Sequence, residues 1–364
     1  MYMEFNKGKV NVSYNIFARF GRLPLVVDRV HISRDEKLIA IATPDSGISI
    51  WDIQLCQQVS ELEVDVELFK APATSLYERE LGPFAVRDLA FSADNLFLAV
   101  ALNNDEVHIW IREGTLVEVI KRPAVALTFM PSHNIVALCF HDGHIEFWEF
   151  LPARFVSSCP SLPDAADPLC GERKVFRSFF TVSEDGKELA VLLQFARPSS
   201  SSLLQIYDCI ETEKALQVLK SKTMRVPHNY FQFISYFQKR WVFFGGDRYS
   251  IFCINTQSGD KKILDDIKCA FDNAHSLSPD GQYFVVSRVD GTLMILDSEE
   301  GKALLDFKAH QLVNDDKAIS AVFWLRDGGI LTVGTDNLKQ KNSLYENTTA
   351  QKWTTIKIWK CHFN

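Results

Sequence analysis

The chain has 364 residues, 47% apolar and 23% charged, which is material for the packed core of one large domain or two smaller ones. Its formal net charge of −7 gives no electrostatic basis for following a phosphate backbone, so nucleic-acid binding is not expected. The longest apolar stretches, Leu38 to Thr43 and Leu189 to Leu193, are strand-length and far below the roughly 20 residues of a membrane-crossing helix.

The opening MYMEFNKGKVNV lacks a basic region followed by an apolar block, which predicts an unexported protein. The eight cysteines are dispersed with no CxxC pair, a usage that predicts a reducing compartment, cytoplasmic or nuclear, and no zinc module. No cofactor is expected, because no GxSxG, HExxH or phosphate-cradling Gly-rich loop occurs.

In chain order, Val10 to Ile16 alternates apolar with polar and reads as a lone strand. Val30 to Asp52 then reads as strand, polar turn, strand, Asp-containing turn, and a strand ending in Trp51. Leu89 to Trp110 and Leu127 to Trp148 repeat this layout, and Phe179 to Asp208 repeats it with Tyr207 in the Trp position. Phe231 to Ile254 repeats it with Phe252. Ser278 to Gly301 does so with Leu296, and its Asp290-Gly291 is a strong hairpin signal because both residues tolerate positive φ. Ala321 to Lys360 returns to Trp359. Seven copies with a core period of about 40 residues predict an all-β, radial array of four-stranded antiparallel blades. The blades begin near residues 27, 85, 124, 175, 229, 271 and 318 of one domain spanning 1–364.

Trp51-Asp52, Ser278-Pro279-Asp280-Gly281 and Thr355-Ile356-Lys357-Ile358-Trp359 resemble WD-repeat β-propellers, over essentially the whole chain. A ring of blades leaves exposed edges unless its ends join. Few residues follow Trp359, and the resemblance implies that residues 8–16 supply the outer strand of the last blade. It also implies a buried hydrogen-bond network through His310, Asp336 and Trp359, with the hydroxyl from Thr332 or Thr335. Trp51, Asp52, Trp110 and Trp148 are expected to be structural.

In a four-stranded meander, second-to-third-strand turns and blade-to-blade links share one face. The long segments Asp65 to Phe84, Leu151 to Lys174, Phe195 to Ser202 and Asn337 to Lys352 would all fall there. Loops gathered on one face of a repeat array mark a binding surface. Arg154, Phe155, Arg197, Arg248, Tyr345 and Trp353, in or beside these segments, are side-chain types that anchor protein interfaces. The reading is a non-catalytic scaffold for a protein or peptide partner within a multiprotein complex.

The alternative is a hydrolase with acidic residues at the channel mouth, drawn from Asp28, Asp105, Asp247 and Asp290. His141 and His144 flank a two-residue turn and could share an ion, but no third ligand is specified. Phosphoinositide-binding propellers carry paired arginines followed by Gly, for which Phe20-Gly21-Arg22 is a poor substitute.

Overall fold

The computed structural model describes residues 2–4, 10–20, 27, 29–43, 47–62, 64, 86–131, 134–159, 175–183, 185–195, 202–212, 215–226, 231–237, 240–245, 250–255, 261–264, 274–288, 290–300, 302–310, 319–339 and 350–363. Two strands open the chain, β1 (Tyr2–Glu4) and β2 (Val10–Phe20). The first sheet is β3 (Arg29–Ile32), β4 (Leu38–Thr43), β5 (Gly47–Asp52) and β6 (Gln57–Leu62). The second is β7 (Val86–Phe91), β8 (Phe97–Leu102), β9 (Val107–Ile111) and β10 (Leu116–Ile120). The third is β11 (Ala126–Phe129), β12 (Ile135–Cys139), β13 (Ile145–Phe150) and β14 (Ala153–Cys159). The fourth is β15 (Val175–Val182), β16 (Glu188–Phe195), β17 (Ser202–Thr212) and β18 (Ala215–Val226). The fifth is β19 (Phe231–Phe237), β20 (Arg240–Gly245), β21 (Ser250–Asn255) and β22 (Lys261–Leu264). The sixth is β23 (His275–Leu277), β24 (Tyr283–Ser287), β25 (Thr292–Asp297) and β26 (Ala303–Lys308). β27 (Ile319–Trp324), β28 (Gly329–Lys339) and β29 (Ala350–Phe363) join β2 and β1 in a seventh sheet of order β1-β2-β29-β28-β27. All pairings are antiparallel.

The cores lie between sheets rather than within one. Ala40, Ile48 and Ile50 of the first sheet pack on Leu89, Leu98 and Val100 of the second, and Ala99 and Ile109 of the second on Val136 and Leu138 of the third. Similar clusters join the third to the fourth sheet and the sixth to the seventh. A further one joins the seventh to the first, through Leu331, Val333 and Ile356 against Ile39 and Ile41. Because a second strand meets a neighbour on both faces, its residues are apolar without alternation. β4 and β12 are buried along their whole length. First strands follow one another likewise: β3 lies against β7, β7 against β11, β11 against β15, β15 against β19, β23 against β27, and β27 against β3.

β2 pairs with β29 from Val10 opposite Phe363 to Phe20 opposite Thr354. The strand is longer than the 8–16 segment read from the sequence, and residues 8 and 9 lie outside the described residues. β1 adds a fifth strand, against Asn11 to Ser13. Nothing in the sequence of Tyr2 to Glu4 signalled it, since three residues are too few to show a period.

One turn recurs between first and second strands. In Ser33-Arg34-Asp35-Glu36-Lys37 the Ser33 hydroxyl donates to Asp35 at 2.7 Å and accepts the Leu38 amide at 2.9 Å, while Asp35 accepts the Lys37 amide at 3.1 Å. Ser92/Asp94, Ser183/Asp185 and Ser278/Asp280 make the same three bonds. The fourth turn position has positive φ and is Glu36, Asn95, Gly186 and Gly281 in turn.

In three of the four turns that position also contacts the preceding sheet. Asn95 accepts the Arg34 amide at 3.1 Å, and Glu36 accepts the Arg326 amide at 2.8 Å, tying the first sheet to the seventh. Gly186 faces Pro131 instead, 3.5 Å from where a Cβ would stand. Pro has no amide hydrogen to offer, so no acceptor is needed there and glycine relieves the backbone. Asn95→Ala should therefore lower the unfolding free energy by about 1–2 kcal/mol, through the lost bond and a left-handed alanine. Asn95→Gly should cost under about 1 kcal/mol. Urea unfolding of both variants checks this; equal losses would show that the backbone conformation contributes nothing.

Candidate interaction surface

The meander divides the connections between two ends of the sheets. At one end lie the turns joining first to second and third to fourth strands, none longer than five residues. At the other lie the second-to-third-strand turns and the sheet-to-sheet links, including the 23 residues between Leu62 and Val86. Most of the four long segments lies outside the described residues. Three were read too long. β14 occupies 153–159, so that insertion reduces to 160–174; β16 and β17 take up 195 and 202, and β28 and β29 take up 337–339 and 350–352.

This moves two candidates. Arg154 and Phe155 are not loop residues: they open β14, opposite Glu149 and Trp148, at the short-turn end. Arg154 donates to Glu149 at 2.8 Å, and Phe155 sets its edge against Trp148 at 5.8 Å while remaining 48% exposed. Pro152 and the serines of Ala153 to Cys159 hid a strand that Ile145 to Phe150 pairs with. Trp353 stays with the long connections, in β29 opposite Asp336. Arg197, Arg248 and Tyr345 lie outside the described residues.

Described polar groups at the long-connection end link adjacent first strands. Arg87 donates to Asn103 at 3.0 Å, contacts Asp105 at 3.1 Å, and its carbonyl accepts from Arg29 at 2.9 Å. Asp88, which follows a β-bulge, accepts the Leu89 amide and, across the sheet boundary, the Leu127 amide, each at 2.9 Å. Burial pushes its carboxyl up to about 6, against the pull of those amides and of the Arg29 charge. With both oxygens engaged by backbone amides, Asp88 is a sheet-to-sheet tie. The acids weighed for hydrolysis are held likewise: Asp105 by Arg87, and Asp290 by the Thr292 amide and hydroxyl, with Lys308 at 3.8 Å. Asp28 and Asp247 lie outside the described residues.

His141 and His144 do not converge. The His141 ring contacts the Val175 carbonyl on the next sheet, whereas His144 lies between Asp142 at 2.9 Å and Glu146 at 3.2 Å. Among the described residues no group of three or more His, Cys, Asp and Glu could hold a metal ion.

The buried network of the seventh sheet is built on Thr332, not Thr335. Trp359 Nε1 donates to Thr332 Oγ1 at 3.0 Å; that oxygen lies 2.9 Å from His310 Nε2, and His310 Nδ1 lies 3.2 Å from Asp336. A carboxylate needs a donor, so Nδ1 carries the proton and Nε2 accepts from Thr332. Lys357 adds an ion pair to Asp336 at 2.8 Å and donates to the Ala309 carbonyl at 2.7 Å; Thr355 also donates to Asp336. Burial alone would raise the Asp336 carboxyl, but His310 and Lys357 outweigh it and hold it far below the usual range.

Other third strands satisfy their marker residue differently. Trp51 donates to Ser49, Trp148 to Glu146 and Tyr207 to Gln205, always two residues earlier and so on the same strand face. Trp110 is buried, and Asp52 caps its turn by accepting the Gln54 and Leu55 amides. Ser49, Glu146, Gln205 and Lys357 were missed, although the two-residue spacing from each marker was visible.

No protein-family model matches the chain, and no curated protein matches it. Among solved structures it is similar to the β-propeller domain of Cps50 (Swd1) from Myceliophteria thermophila, with a TM-score of 0.63 and 13% identity. The match covers 96% of this chain and 99% of that one. The fold is that of a β-propeller.

Asp88 gives a pH test. Its carboxyl rises from 3.8 to about 6 on folding, so the native state holds the extra proton between those values. Its contribution therefore weakens stability as pH rises through that window, by at most about 3 kcal/mol. Asp88→Asn removes the titration but turns its Nδ2 donor towards one of the two amides, so it should be less stable than wild type at pH 4.5, with the deficit shrinking towards pH 7.5. Thermal melts across this range check it; a deficit that does not change with pH would contradict it.

Proposed function

We propose that the chain is a seven-bladed propeller of the WD-repeat kind and acts as a non-catalytic scaffold. In this reading it binds a protein or peptide at the long-connection end and works as a subunit of a larger complex inside the cell. The observation that carries the reading is the asymmetry of the connections, none above five residues at one end and up to 23 at the other. A scaffold whose cores lie between sheets fixes the roots of those connections, so several can meet one ligand with little ordering cost. Of the acids weighed for hydrolysis, Asp105 is held by Arg87 of its own sheet and Asp290 by its own turn, which favours structural roles for both. The Cys139 and Cys209 thiols, buried and outside any disulfide, agree with a reducing compartment.

Affinity capture from native extract with wild type and with an Arg197→Ala, Arg248→Ala, Trp353→Ala variant tests this, after melts show that both fold. Partners are expected to be lost from the variant alone. Equal recovery would remove the long-connection end as the working surface.

A further inference from the structure

We draw no further inference here: the strongest candidate, the side-chain cluster of Arg288, Asp290, Met294 and Lys308 around the turn between β24 and β25, is bonded within itself, and nothing in the structure shows a ligand that it would hold.

Discussion

The structure depends on one constraint: the first, second, third and seventh sheets bury apolar residues on both faces, so none of these is stable with a single neighbour. Ile39 and Ile41 of β4 bury against the seventh sheet, while Ala40 and Ala42, one residue along, bury against the second. Each such isoleucine or valine contributes about 1.5–3 kcal/mol when removed from water. A linear stack would leave two of these faces wet at its ends. The cluster of Val333, Leu331 and Ile356 with Ile39 and Ile41 covers both, and it does so only because the last sheet returns to the first.

Many of the polar groups in this core are tied by side-chain bonds. The Ser/Asp turn closes four first-to-second connections with side-chain oxygens, and in two of them the positive-φ residue, Glu36 or Asn95, accepts a bond from the sheet before it. His310, Thr332, Trp359, Asp336 and Lys357 form the most charged example, in which a buried lysine and carboxylate offset each other's desolvation. Both ends of the sheets are thereby fixed, one by short turns and one by bonds such as Asp88 to Leu127.

The strand-turn-strand pattern, the Ser/Asp turns and the alternating stretch that became β2 were legible because each has a short period and a turn with strict φ requirements. β14 was hidden by Pro152 and its serines, and Arg154 and Phe155 were assigned to a loop as a result. The partners of the marker aromatics were hidden for a different reason. The WD-repeat resemblance directs attention to a hydroxyl on the neighbouring strand, which holds for Trp359 and Thr332, whereas Trp51, Trp148 and Tyr207 are satisfied along their own strand.

Closure fixes the roots of the connections at both ends of the sheets, since an open ring would fix neither. The most direct measurement is hydrogen exchange on the full chain and on one beginning at residue 21. If β2 closes the ring, its loss should speed exchange in β29 and also in β3 and β4, whose cover comes from the seventh sheet. Faster exchange confined to β29, or no change, would contradict a ring held shut by that strand.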